Sequence, residues 1–327
     1  MTETNVKAWR EFVFPGALQA QVDKVLQSVE LMLKYHNALG KSVTEKLMVL
    51  LASDRCPAQT KQTVRSALVN AIQLDPATNG RALCENGLVP ELFRLIEEPP
   101  TPTHAQAALR ALNLVLQNCE DALLGPAGGG DAAGGVVAEC AGFARDAEAP
   151  YRLRLGALQF LTDVVLRKGA DGARLLERCG VLGCFPTVLA EWAPMPGRYQ
   201  DGLFSHGVQQ CVAALNALYP VAPELVLHVP GLVESVVSVV EAHSPAAEAA
   251  VAFLLTVSTT PEGRAAVMAA GEHGYAALAA QLPLYEEEEV RCNMLRLLTN
   301  LCVEDASARV LGECPGMLEC VHDTLAA

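Results

Sequence analysis

Several residue groups in this chain have the side chains for chemistry, and their spacing decides against each. Gly40-Lys41-Ser42 matches the end of a loop in which backbone N–H groups and a lysine hold a nucleotide's phosphates. That loop needs a glycine five residues before Gly40, where Tyr35 stands, and a strand leading into it. A helix–helix turn accounts for the triplet better. The glycines from 125 to 135 could pass for a dinucleotide fingerprint, but no strand precedes them and they interrupt a helical pair, so they read as a flexible linker. Cys314, Cys320 and His322 raise the question of zinc. Residues two apart on a helix point about 200° from each other, so Cys320 and His322 cannot both face one metal without unwinding it. No Cys-x-x-Cys spacing occurs, and the seven histidines lie without nucleophile–base spacing. The chain is therefore expected to be no enzyme and to hold neither cofactor nor metal.

Binding chemistry remains. Six residue pairs, Ser66/Asn70, Arg110/Leu114, Gln159/Asp163, Ala213/Ala217, Ala252/Thr256 and Arg296/Asn300, share one internal spacing of four. Four residues is about one helical turn, so each pair stacks on a single helix face. Mixed, partly polar columns of this kind meet solvent or a partner.

The elements that carry these pairs are set by six leucines, Leu68, Leu112, Leu161, Leu215, Leu254 and Leu298, each midway between the two members of its pair. The leucines are 44, 49, 54, 39 and 44 residues apart. Counting from each leucine, offset −4 holds Val64, Ala108, Ala157, Cys211, Ala250 and Met294. Offset −1 holds Ala67, Ala111, Phe160, Ala214, Phe253 and Leu297, and offset +3 holds Ala71, Val115, Val164, Leu218, Val257 and Leu301. Offsets −4, −1, 0 and +3 share one side of a helix, and every residue there is apolar. That stripe is predicted core, and the −2/+2 pairs lie opposite it.

After each long helix the pattern predicts a connector and then a second helix opened by glycine and an apolar pair. Gly87-Leu88-Val89-Pro90-Glu91-Leu92 is the cleanest example, with Gly135-Val136-Val137, Gly180-Val181-Leu182, Gly231-Leu232-Val233 and Gly316-Met317-Leu318 as counterparts. Glycine supplies the positive φ of a tight turn, and Pro90 suits the first turn of a helix. The fifth repeat is degenerate, with Gly271 or Gly274 as turn and Glu272-His273 in place of the apolar pair.

A repeating unit of this length with helical patterning marks an armadillo/HEAT-type solenoid. Residues 64–98, with Ala67-Leu68-Val69-Asn70, Asn79-Gly80-Arg81-Ala82 and the Gly87 run, resemble an armadillo repeat from end to end. Thr259-Thr260-Pro261-Glu262-Gly263-Arg264 and Leu297-Leu298-Thr299-Asn300-Leu301 are similar pieces in later repeats. The resemblance implies an all-α fold, a right-handed α-solenoid of armadillo-like helical repeats, and a protein partner held along its concave face. It is specific for fold and weak for task, because this architecture serves many functions.

In armadillo proteins that bind extended peptides, the −2 and +2 positions form a ladder of tryptophans and asparagines. Asn70 and Asn300 match the asparagine rungs and would hold a peptide backbone; Asp163 is a partial match. Leu114, Ala217 and Thr256 depart from the pattern, and Trp9 and Trp192 fall outside the columns, so recognition of nuclear localisation signals is not implied. Arg110 and Arg296 stand at two rungs and suit an acidic peptide or a folded surface. Ser66, Asn70, Arg110, Gln159, Asp163, Arg296 and Asn300 are the candidate partner-binding residues.

A net charge of −13 and a pI near 5.0 disfavour nucleic acid and anionic lipid, since both require clustered Lys/Arg. Residues 1–15 lack the apolar segment of a signal peptide, and residues 202–223 read as a repeat helix rather than a membrane span. The eleven scattered cysteines, with Cys211 in the −4 column and Cys140 in the place of Leu92, are predicted to be buried thiols of a reducing cytosol. Glu286 to Glu289 complement the positive end of the helix they open.

The expected organisation is an N-terminal segment and cap helices over 1–57, with helical stretches at 21–35 and 42–53, then six repeats over 58–327. These repeats begin near 58, 101, 151, 199, 244 and 286, with insertions at 125–131 and 193–198. The function this predicts is a cytoplasmic scaffold or adaptor. A permanent subunit of a larger complex, such as a ciliary or axonemal, radial-spoke-like assembly of the cytoskeleton, is the second reading. A chaperone cofactor or GTPase/ATPase regulator is the third.

Overall fold

A computed structural model describes residues 41–54, 56–124, 131–192, 203–242, 245–270, 274–303, 309 and 322. The expected helix at 21–35, Gly40, the two insertions, Glu272-His273, Gly316-Met317-Leu318, Cys314 and Cys320 lie outside them. The described residues contain helices and no strand. They are α1 (Lys41–Ala52), α2 (Ala58–Leu74), α3 (Pro76–Glu85), α4 (Val89–Glu97), α5 (Pro102–Leu124), α6 (Asp131–Arg145), α7 (Tyr151–Lys168) and α8 (Ala170–Arg178). Then come α9 (Cys184–Trp192), α10 (Leu203–Leu218), α11 (Pro223–Leu227), α12 (Leu232–Glu241), α13 (Ala247–Val257), α14 (Pro261–Ala269), α15 (Gly274–Gln281), a 3-10 turn at Leu282–Leu284 and α16 (Glu288–Leu301).

The unit of the fold is a triplet, where the sequence pattern suggests a pair. In four of the described repeats the connector after the long helix contains a short helix of its own, α3, α8, α11 or α14. Its five to ten residues are too few for a 3.6-residue period to stand out, which is why it escapes a pattern reading. The break before it is chemical. Pro76, Pro223 and Pro261 each occupy the first turn of their short helix, and Gly169 turns the chain at φ +52. Asp75 and Thr260 cap two of these helices through the backbone N–H of Thr78 and Gly263. The second repeat has neither proline nor glycine at that junction. There α5 is two helical pieces that meet at a kink, where Cys119 leaves the helical conformation (φ −138, ψ 40).

Glycine opens the other turn where expected in three repeats, with φ +66 at Gly87, +63 at Gly180 and +72 at Gly231. Gly135 is a correction. It lies inside α6, which starts at Asp131, and its φ is not positive. The alanines and valines around it support a helix despite the roughly 1 kcal/mol that an interior glycine costs.

The described chain forms two compact units, residues 1–139 with 150–156 and residues 140–149 with 157–327. In the first, α2 packs on α5, and α3 and α4 also pack on α5. In the second, the long helices pack in succession, α10 on α13 and α13 on α16, as do α9 on α12 and α12 on α15. The interior is the predicted stripe. All six leucines and every −4 and +3 residue are buried, as is every −1 residue except half-buried Ala67. Burying a leucine or phenylalanine stabilises the fold by about 1.5–3 kcal/mol, so this stripe dominates the cohesion of each unit. Among the described residues the fold is all-α and built of recurring helical repeats.

Candidate functional site

The helix period that buries the stripe turns the −2 and +2 residues outward, and none of the twelve is buried. Arg110, Gln159 and Arg296 are exposed at −2, and Ser66 is half-buried. Asn70 is exposed at +2, while Asp163 and Asn300 are half-buried. Ser66, Asn70 and Arg110 belong to the first unit; Gln159, Asp163, Arg296 and Asn300 belong to the second.

Their hydrogen bonds divide them further. Asn70, Arg110 and Gln159 hold none within the described chain. Ser66 Oγ donates to the Gln62 carbonyl of its own helix at 3.0 Å. Arg296 Nη1 donates to Asn293 Oδ1 at 3.3 Å. Asn300 Nδ2 donates to Oγ of fully buried Ser258, 3.0 Å away on the preceding repeat, so this amide also clasps α16 to the end of α13.

A second polar column, at offset +1, escapes the sequence reading. Asn113 Nδ2 donates to the Gly156 carbonyl (3.3 Å) and Asn216 Nδ2 to that of Ala249 (3.3 Å), while the one proton of Thr162 Oγ1 is shared between the Gln210 carbonyl (3.2 Å) and the nearer Leu158 carbonyl of its own helix (2.9 Å). The acceptor on the neighbouring repeat lies at offset −5 of the next long helix in all three, so one pairing of positions recurs at three joints. Its signal was Asn113, Thr162, Asn216 and Thr299 in a column between the core stripe and the outward face. Tyr219 adds a related link, its hydroxyl 3.3 Å from the Val257 carbonyl and its ring edge-on to Phe253 with centroids 6.1 Å apart.

One cluster of charge lies inside the helical layers of the first repeat. Glu91 on α4 accepts from Arg65 Nε on α2 at 2.8 Å and from Arg94 one turn along its own helix. Outside it, the guanidinium of Arg154 on α7 is also buried, along with several thiols and phenols. Desolvation pushes Cys84, Cys184 and Tyr285 each up to about 12, and Tyr285 donates its hydroxyl to the Val240 carbonyl at 2.6 Å. Cys140 and Cys211 are fully buried. Among the described residues no three His, Cys, Asp or Glu side chains are grouped to hold a metal ion, and no helix is long and apolar enough to cross a membrane.

A groove of about 320 Å³ lies on the turns between α8 and α9 and around α11. Glu177, Gly180, Leu182, Leu225 and His228 line it. None of the sequence candidates reaches it.

No protein-family model and no curated protein matches the sequence. Among solved structures, a designed armadillo repeat protein is similar at 17% identity and a TM-score of 0.49, covering 78% of this chain and 98% of its own. An engineered protein is similar at 18% identity and a TM-score of 0.49, covering 81% and 97%. A second engineered protein stands at 16% identity and 0.42, covering 86% and 73%.

Proposed function

We propose that this chain is a non-enzymatic scaffold that binds a protein partner on the outward columns of its long helices. One observation carries the reading. The −2 and +2 columns stay accessible in every described repeat while the stripe opposite is buried, and Asn70, Arg110 and Gln159 leave their polar groups unspent. Polar groups on rigid helices suit selective recognition, because their positions are fixed before a partner arrives. Arg110 and Arg296 favour a partner that presents carboxylates to them.

Photo-crosslinking in the native cell tests this. A benzophenone side chain at position 70 or 159 should capture a protein that one at exposed Glu97 or Arg174 does not. Arg110→Glu with Arg296→Glu should lower that yield by about tenfold, as removal of charged contacts does, and leave the helical circular dichroism unchanged. Equal capture from all four positions, or an unchanged yield in the double variant, would remove the outward columns from the function.

A further inference from the structure

Exposed aliphatic side chains are few in this chain, and they are not scattered. Among the described residues Leu74, Leu166, Val221, Leu284 and Val303 are the large hydrophobic ones left exposed. Four of these five stand five or six residues past a repeat leucine, at the end of a long helix. α5 and α13 carry Gln117-Asn118 and Thr259-Thr260 at that place, so α7 and α10 are the one described pair of successive long helices that both end apolar. Leu166 is 61% exposed there and Val221 42%. Thr162 reaches Gln210, so α7 and α10 lie side by side, and the chain continues from their C-terminal ends into α8 and α11. The groove of about 320 Å³ falls at this same joint, with Leu182, Leu225 and Val229 on its walls.

Charge divides about this apolar strip. Residues 166–183, on the α7–α8 side, carry four cations (Arg167, Lys168, Arg174, Arg178) against two carboxylates (Asp171, Glu177), a surplus of two positive charges. Residues 219–234, on the other side, carry Glu224 and Glu234 with no lysine or arginine, two negative charges. Arg174 is held by Asp171 at 3.3 Å. Arg167, Arg178, Glu224 and Glu234 are exposed, and their side chains make no hydrogen bond or ion pair within the described chain.

We infer that a second copy of this chain docks on the strip, edge to edge about a two-fold axis. An apolar strip with positive charge on one side and negative charge on the other is complementary to itself after half a turn. That rotation lays Leu166 on Val221 of the second copy and brings Arg167 to its Glu224, each contact occurring twice. A partner bearing a single sign of charge would be repelled along one side. The strip occupies the ends of the long helices, whereas the −2 and +2 columns run along them. Pairing therefore leaves those columns open and gives the assembly two copies of its binding face.

Sedimentation velocity of the full chain, from about 1 to about 100 μM in about 100 mM NaCl, gives the test. A dimer should form within this range, and its Kd should rise about tenfold in about 500 mM NaCl as the exposed pairs are screened. Arg167→Glu alone and Glu224→Arg alone should each weaken it about tenfold. The two together should restore it, because opposite charges face each other again across the axis. Leu166→Ser with Val221→Ser should weaken it as well, with the helical circular dichroism unchanged because both positions are exposed. A chain monomeric throughout, a dimer indifferent to these variants, or a charge exchange without rescue would overturn the inference. So would capture of a different protein by a benzophenone side chain at position 166, which would give the strip to that partner. Crosslinks at positions 70 and 159 decide the scaffold reading separately, whichever result is found.

Discussion

Arg65 on α2 and Glu91 on α4 meet at 2.8 Å with side chains only 9% and 10% exposed, a buried ion pair inside the first repeat. Arg94 shares the carboxylate from the surface side. Taking two charges out of water cancels much of their attraction, so the pair adds little net stability while making each partner costly to remove alone.

Glu91→Leu should therefore cost about 3–5 kcal/mol, since it strands the Arg65 guanidinium. Arg65→Met with Glu91→Leu should recover most of that loss. Urea unfolding of the three chains checks it, and a double variant as unstable as Glu91→Leu would contradict the account.

The joints between repeats predict a contrast between two hydroxyls. Thr162→Val removes a buried hydroxyl shared between the Gln210 and Leu158 carbonyls at almost constant volume and should cost about 1 kcal/mol. Ser66→Ala loses only a bond within its own helix at a part-exposed position and should stay within about 0.5 kcal/mol. Denaturation midpoints at equal m-value decide between them.

Two glycines should fail for different reasons. A Cβ on Gly263 would sit 1.9 Å from the Val257 carbonyl oxygen, so Gly263→Ala must push α14 off α13 and should cost at least about 2 kcal/mol. At Gly87 a Cβ would meet nothing within 4 Å, and Gly87→Ala should cost about 1–2 kcal/mol for its φ of +66 alone. Thermal unfolding should rank Gly263→Ala as the less stable.

Thiol chemistry should follow burial. With Cys84 and Cys184 each pushed up to about 12, the thiolate fraction at pH 8 is on the order of one in ten thousand. Iodoacetamide should spare both in the folded chain and label both in urea. Because these values are raised above the unfolded thiol, the stability they contribute is complete below the unfolded pKa. It is lost as pH rises from about 8.5 toward the folded value. A midpoint that increases over that alkaline range would contradict the sign.

The acid limb carries the opposite sign. Hydrogen bonds from Thr78, its backbone N–H foremost, hold the Asp75 carboxyl below its ordinary value, so its contribution is present above the unfolded pKa and lost as pH falls through the folded one. Asp75→Ala should flatten the loss of stability on acidification. An acid limb identical to the parent's would show that the cap is idle.

The core was legible because burial acts on side-chain type alone. Leu68, Leu112 and their counterparts needed only a 3.6-residue period to be found, and all are buried. The turns were legible where backbone geometry requires glycine, at Gly87, Gly180 and Gly231, and misleading at Gly135, where helical neighbours outweigh glycine's reluctance. Short helices such as α11 were hidden because five residues hold little more than one turn. Polar residues were the least legible. Asn70 and Asn300 read alike in sequence, yet one is exposed and unbonded while the other reaches Ser258 on a neighbouring helix. Arg65 gives no sequence sign of its pairing, because Glu91 lies 26 residues away.

At three joints the +1 side chain addresses main chain only, and the residues that accept, Gly156, Gln210 and Ala249, have nothing in common but a carbonyl. A donor that ignores its acceptor's side chain leaves that position free to drift. Repeats held this way tolerate duplication, deletion and shuffling, since a transplanted unit brings a usable acceptor whatever its sequence.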